Sequence, residues 1–245
     1  MSPNKREREY ARRRHEQWME RQQATRRRRR RTRFAAIAAV GVLAIVGVIV
    51  VVSQSNHKNV VVAAPTPSTA TTPPSPSLAE ARAWTASLTT SAGAIDITLD
   101  GAAAPQAVAS FVYLARFGYF DNSSCHRLTT SGIFVLQCGD PTGTGSGGPN
   151  YRFGPIENAP AGNVYPAGTV AMARAGKDAK SQGSQFFIVY KDSTIPADSA
   201  GGYTVFGHVK TGLDVVTTVA ASGVSGGKTD GPPTTPVTIQ GVAVK

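Results

Sequence analysis

Histidine, cysteine and acidic side chains are all scarce in these 245 residues: four His, two Cys, and 15 Asp and Glu together. His15, His57, His126 and His208 are scattered without the spacing of metal ligands, so no metal centre is visible. There is also no obvious nucleophile beside a base, no acid pair and no internal repeat. Two glycine motifs that could carry chemistry lack their required context. Gly143 to Gly148 fits GxGxxG, but Pro149 and Asn150 follow where a dinucleotide site needs a helix start, so the segment reads as a flexible loop. Gly223-Val224-Ser225-Gly226-Gly227 fits GxSxG, yet it follows a helical pattern and precedes a Gly- and Pro-rich loop, the reverse of a nucleophile elbow.

Basic charge is plentiful but confined. Residues 1–33 carry 14 Lys and Arg against 4 Glu, a net of +10, while the whole chain is +11. The folded part is therefore nearly neutral. Aromatics in the tail are limited to Tyr10 and Trp18 and no nucleic-acid module is visible, so no nucleic acid is expected as a partner. The tail reads as a topology signal that also meets anionic lipid head groups.

Phe34 to Val52 is a run of 19 residues without a charge, about 28 Å long as a helix, which matches the hydrocarbon thickness of a bilayer. An uncleaved transmembrane anchor is favoured over a signal peptide, because the basic region is long and no small-x-small site directly follows. Arg26 to Arg31 and Arg33 abut the run, whereas only Lys58 follows it closely. The positive-inside bias then places the N-terminus in the cytoplasm and the C-terminal domain outside the plasma membrane. Residues 53–82 are rich in Pro, Thr, Ser and Ala, a composition expected of a disordered tether.

Residues 83–245 are long enough for one core and read mainly as β. Eight strands are expected near Ala83–Thr90, Ala94–Leu99, Ser124–Leu128, Phe134–Gln137, Gly168–Ala173, Phe186–Tyr190, Thr204–Val209 and Val237–Val244. Pro105 to Phe117 has helical spacing at Val108, Phe111, Val112 and Ala115, and Leu213 to Ala221 repeats the pattern. Many strands with two isolated helices predict a closed eight-stranded antiparallel barrel capped by the helices.

Cys125 and Cys138 fall on two strands expected to pair as a hairpin. A cross-strand disulfide is favoured, with two buried thiols as the alternative. His126 and Arg127 are neighbours in a strand and point to opposite faces. With Arg127 toward the site, His126 reads as a buried residue making a structural hydrogen bond.

Gly183-Ser184-Gln185-Phe186-Phe187-Ile188-Val189, together with Cys125-His126-Arg127-Leu128 and Gln137-Cys138-Gly139-Asp140, gathers an arginine, two glutamines and aromatics. That set suits gripping a peptide without making or breaking a bond. With Phe134-Val135-Leu136, Met172-Ala173 and Val205-Phe206-Gly207, these motifs resemble the cyclophilins, the peptidyl-prolyl cis-trans isomerases, over roughly Trp84 to Lys245. The order of anchor, tether and domain looks like membrane-anchored actinobacterial members.

The resemblance implies an enzyme that needs no cofactor and acts on proline-containing polypeptides, assisting folding of exported or envelope proteins. The alternative is a proline-peptide chaperone or docking module with little turnover. It further implies that Arg127 is the catalytic arginine with Gln137 beside it. Phe134, Val135 and Phe187 would line the proline pocket, and Ala173 and Gln185 would contact the substrate backbone. Phe186 alternates with Phe187 and is expected in the core. Arg174 stands where many members have Asn, Tyr203 where many have His, and Thr194, followed by Ile195, is the nearest match to a frequent Trp. All four are candidates for contacting substrate, with Arg174, Thr194 and Tyr203 as candidates for setting substrate preference, and loss of the Trp implies weakened cyclosporin binding. No oligomerisation signal is seen beyond the anchor, so the domain is expected to be monomeric.

Overall fold

The computed structural model describes residues 70–245. The folded chain starts earlier than the expected boundary at Ala83. Pro76–Ala79 makes one 3-10 turn, capped where the Ser75 hydroxyl accepts from the Ser77 N–H. Ala70 and Ala79 are buried with the core, the Trp84 indole donates to the Ala79 carbonyl at 2.9 Å, and the Gln106 amide donates to the Pro74 carbonyl at 3.0 Å. Composition hides this, because a segment with no apolar face of its own can still be held by a neighbour's donors. The tail 1–33, the anchor at 34–52 and the tether as far as residue 69 lie outside the described residues. Among the described residues no helix is long and apolar enough to cross a membrane.

Strands β1 (Ala83–Thr90) and β2 (Gly93–Asp100) form a hairpin with Ala83 opposite Asp100 and Thr90 opposite Gly93. Their period-two pattern sends Trp84, Ala86 and Leu88, and Ile95, Ile97 and Leu99, into the core. At the turn the Thr90 hydroxyl accepts from the N–H groups of Ala92 and Gly93, and Gly93 takes a φ of 139° that a side chain would strain.

Ten strands make one curled, wholly antiparallel sheet. The others are β3 (Ser123–Ser124), β4 (Arg127–Thr129), β5 (Val135–Cys138), β7 (Thr169–Met172), β8 (Phe186–Val189), β10 (Val205–Thr211), β11 (Asp230–Gly231) and β12 (Thr238–Val244). Their order is β11-β4-β5-β8-β7-β10-β2-β1-β12-β3, and β6 (Val164–Tyr165) pairs separately with β9 (Ser193–Thr194). The expected closed barrel of eight strands is thus corrected in count and in closure. The reason lies in residues 123–129, which change partners midway: β3 pairs with β12, whereas β4 pairs with β5 and β11. Where the ladder is interrupted, a single bridge between Ser124 and Asp140 and a disulfide between Cys125 and Cys138 hold the seam.

Helix α1 (Pro105–Arg116) opens on Pro105 and has no side-chain cap of its own. Glu157 supplies one from far along the chain, its carboxylate accepting from the Gln106 and Ala107 N–H groups at 2.9 Å each. Such orphan donors need an acceptor, and an acidic one suits a helix N-terminus. The expected face at Val108, Phe111, Val112 and Ala115 is buried, with Phe111 5.0 to 5.6 Å from the rings of Phe120, Phe186 and Phe206. Helix α2 (Leu213–Ala221) follows Gly212, whose φ is 85°, and buries Val216 and Val219.

The sheet has two apolar sides. Phe186 and Ile188 of β8 join the main core with α1, while Phe187 and Val189 join a smaller cluster with Val135, Tyr165, Ala171, Ile195 and Val205. Alternation along one strand therefore feeds both the core and the floor of a surface cavity.

Candidate active site

A cavity of about 160 Å³ opens on the second side, lined by Arg127, Ile133, Val135, Gln137, Ala173, Arg174, Phe187, Ile195 and Tyr203. Strand register assembles it: Arg127 sits opposite Gln137, Gln137 opposite Phe187 and Phe187 opposite Ala171. Phe187 meets the Tyr203 ring edge-on at 5.5 Å, and the Tyr203 N–H is held by the Tyr165 hydroxyl at 2.8 Å. The floor is apolar and one rim is polar.

That rim is a directed chain of hydrogen bonds. Arg127 donates from Nε and Nη2 to the two carboxylate oxygens of Asp230, both at 2.7 Å, and from Nη1 to Gln137 Oε1 at 3.3 Å. Gln137 Nε2 donates to Gln185 Oε1 at 2.8 Å, and Gln185 Nε2 donates to the carbonyls of Gly145 and Gly147 at 3.0 and 2.9 Å. A guanidinium can only donate, so it fixes the orientation of both amides in turn. The Asp230 carboxylate pushes the Arg127 pKa up despite partial burial, and Arg127 in turn holds the Asp230 carboxyl below its usual value.

The glycine-rich segment at the end of this chain is not the loose loop its composition suggests. It winds around Asp140, whose carboxylate accepts from the N–H groups of Thr142, Thr144, Gly145 and Gly147 and from the Thr142 hydroxyl. Gly147 must be glycine, because a Cβ there would overlap Asp140 Oδ1. Burial would raise the Asp140 pKa, but these donors outweigh it and hold it at about 2. A second cavity of about 280 Å³ lies over this loop and shares Gln137, Ala173 and Arg174 with the first.

The structure gathers most of the expected site residues. Arg127, Gln137, Val135, Ala173, Phe187, Ile195 and Tyr203 line the first cavity, and Gln185 lines the second. Phe134 does not: its ring packs at 5.9 Å from Tyr190 with the Lys191 ammonium 4.5 Å above it, on the other side of the strand. Ile133 takes its place, since residues 133, 135 and 137 share one face. Thr194 is exposed in β9, opposite Val164, so of that pair only Ile195 reaches the cavity.

Arg174 lines both cavities but has no donor to offer. Nε donates to the Gly202 carbonyl, Nη1 to Ala175 and Asp198, and Nη2 to Asp198 and Gly201, which uses all five N–H groups. Its guanidinium lies 4.7 Å from the Tyr203 ring centroid. The expected structural hydrogen bond of His126 is at most a weak one: neither ring nitrogen meets a partner at good hydrogen-bond geometry, although the Ser124 backbone acts on the ring. Burial, reinforced by the charge of Arg127, pushes its pKa down against the opposing pull of Asp140. Asp230 was not foreseen; it lies 103 residues from Arg127 on a two-residue strand. Among the described residues no group of His, Cys, Asp and Glu could hold a metal.

Comparison with known proteins agrees with this geometry. The family model described as cyclophilin type peptidyl-prolyl cis-trans isomerase/CLD matches residues 85–244. The chain is 45% identical over 170 residues to the protein named "Probable peptidyl-prolyl cis-trans isomerase B" of Mycobacterium tuberculosis, covering 64% of this chain and 53% of that protein. It is 42% identical over 121 residues to peptidyl-prolyl cis-trans isomerase B of Bacillus subtilis, covering 49% and 78%. The chain thus spans about half the length of the mycobacterial relative. Among solved structures it is similar to a Cryptosporidium parvum cyclophilin type peptidyl-prolyl cis-trans isomerase crystallised in the presence of the dipeptide Ala-Pro. That match has a TM-score of 0.55 at 27% identity and covers 66% of this chain and 98% of the other. With its arginine, two glutamines and apolar cavity in one continuous rim and floor, and a family match across most of the described residues, the chain belongs to the cyclophilin-type peptidyl-prolyl cis-trans isomerases.

Proposed function

We propose that the domain catalyses rotation about X-Pro peptide bonds without a covalent step. The observation that carries this reading is Arg127. Its guanidinium borders the apolar floor of the cavity of about 160 Å³ and commits only three of five N–H groups within the protein.

Rotation faces a barrier of roughly 18–20 kcal/mol because the amide nitrogen shares its lone pair with the carbonyl. In the ground states cis and trans differ by only about 0.5–1 kcal/mol. Catalysis must therefore favour the twisted amide over both ends. In that state the nitrogen becomes pyramidal and regains its lone pair, which a remaining Arg127 N–H can receive. This contact is weak in the planar amide, so it lowers the barrier in preference to tightening ground-state binding. Val135, Phe187, Ile133 and Ile195 would hold the pyrrolidine ring, a role consistent with the relative crystallised with Ala-Pro. Ala173 and Gln185 would meet the preceding residues.

The test is turnover of a proline peptide by the full-length chain in detergent, using a protease-coupled assay. Arg127→Ala should lower kcat/KM by roughly 10² or more, as loss of a preorganised donor does elsewhere. Near-normal turnover in that variant would remove Arg127 from the mechanism.

The reading extends to the setting. Phe34 to Val52 would anchor the chain in the plasma membrane with the basic tail in the cytoplasm, leaving a monomeric domain outside to assist folding of exported or envelope proteins. The Cys125–Cys138 disulfide supports an oxidising compartment. An external protease that digests the domain only after the membrane is breached would reverse this orientation.

A further inference from the structure

The Arg127–Asp230 pair is poorly placed to serve stability. The two side chains are 39% and 54% exposed, and exposed pairs contribute about 0–1 kcal/mol. Its geometry is nevertheless that of a clamp: two parallel N–H···O contacts of 2.7 Å, the bidentate form that fixes a guanidinium in one plane. Asp230 itself is well anchored. Strand β11 pairs Asp230 with Thr129 and Gly231 with Leu128, at the outer edge of the strand that carries Arg127. The segment that delivers it is closed by Thr130 N–H to the Thr229 carbonyl, Ser225 N–H to Pro232 and Thr234 N–H to Gly223.

From this geometry we infer that Asp230 is a positioning residue for the isomerase reaction, aiming Arg127 so that its two uncommitted N–H groups face the amide nitrogen. The inference rests on Arg127 being the donor to the twisted amide. Without the clamp, the guanidinium is held by one contact of 3.3 Å to Gln137 and can rotate about its side-chain torsions. A donor that must reorient at the moment of rotation loses the advantage of preorganisation.

Asp230 has an opposing effect, because its negative charge weakens the positive potential that Arg127 presents to the nitrogen. Orientation outweighs this. At these exposures solvent screens the carboxylate, whereas misdirection of a donor acts on the contact itself. The segment from α2 to β11 thereby becomes part of the active site, although it contributes no lining to the cavity.

The experiment uses the full-length chain in detergent and three variants: Asp230→Asn, Asp230→Glu and the double variant with Arg127→Ala. Asp230→Asn should lower kcat about tenfold while KM stays within about twofold and Tm within about 2 °C. Asp230→Glu should restore part of the loss. Adding Asp230→Asn to Arg127→Ala should cost nothing further, because the aspartate acts only through the arginine. As a readout independent of turnover, the Arg127 Nε–H signal in ¹⁵N NMR should be protected from water exchange in the wild type and lose that protection in Asp230→Asn. Unchanged or raised kcat in Asp230→Asn, multiplying losses in the double variant, or an equally protected Nε–H would each overturn the assignment. If the wild-type chain shows no isomerase activity, the proposed function fails, and with it any role for Asp230 in the reaction, while the NMR result still decides whether the clamp exists.

Discussion

Arg127 and Arg174 border the same cavity, and each grips an aspartate with two guanidinium nitrogens. Arg174 is 1% exposed, and all five of its N–H groups are spent on Asp198 and three backbone carbonyls. Arg127 is 39% exposed and spends three. Arg174 pins the 198–202 loop to the segment that follows β7, and Arg127 holds donors in reserve beside an apolar floor. An arginine at a cavity wall is therefore informative only after its donors are counted.

The contrast is tested most severely by Arg127→Lys. An ammonium keeps the charge but cannot clamp Asp230, reach Gln137 and face the substrate in one plane. A loss of kcat/KM of roughly 10², close to that of the alanine variant, is expected in the protease-coupled assay. If lysine supports near-normal turnover, charge alone suffices and the geometric account of Arg127 fails.

The two arginines are also fastened differently to the fold. Two residues before Arg127 the chain is tied by Cys125 to Cys138, across 13 residues of sequence, whereas Arg174 is tied only by non-covalent contacts to Asp198 and backbone carbonyls. Closing a loop of that size stabilises by about 3 kcal/mol. Reduction with a thiol should lower Tm by several degrees yet leave most activity at 25 °C, since the β4–β5 pairing of Arg127 with Gln137 does not depend on the bond. Activity that vanishes while the domain stays folded would show that the seam itself positions the site.

Arg174→Ala should separate stability from chemistry in the other direction. Removing a buried guanidinium leaves the Gly202 carbonyl without a donor and reduces Asp198, Gly201 and Ala175 to their backbone N–H partners. A fall in Tm of about 5 °C is expected, with kcat/KM changed less than about threefold below the transition. A large loss of turnover at unchanged Tm would mean that Arg174 touches substrate after all.

How much of this could be read from the chain follows from where each contact comes from. Arg127, Gln137, Val135, Gln185 and Phe187 lie in short contiguous motifs, so strand alternation predicts their shared face. The Ile133 and Phe134 exchange shows the limit: after the irregular 129–134 segment, one residue of register decides which side chain enters the cavity. Asp230, Glu157 and the ordered stretch from Ala70 were out of reach because their partners lie far along the chain and their own surroundings are Gly-, Pro- or Ser-rich. The glycine-rich loop misled in the opposite sense, since its order comes from Asp140 folding back onto its own backbone donors.

That loop supplies the smallest expected effect. Asp140 is fully buried and its folded pKa of about 2 lies below the ordinary 3.8, so the carboxylate contributes stability that is complete above pH 4. As pH falls from 4 toward 2 the group must take up a proton and the contribution disappears. Asp198, also held down, first by the Arg174 side chain, loses its contribution in acid in the same direction. Tm should therefore decline with acidification, and Asp140→Asn, which cannot titrate, should flatten part of that decline while lowering Tm at pH 7. Because Gln185 donates to the Gly145 and Gly147 carbonyls of this loop, the variant should also loosen the far end of the chain that begins at Arg127. An acid limb of the same slope in Asp140→Asn would mean that the loop is held by its backbone geometry, with the carboxylate as a passenger.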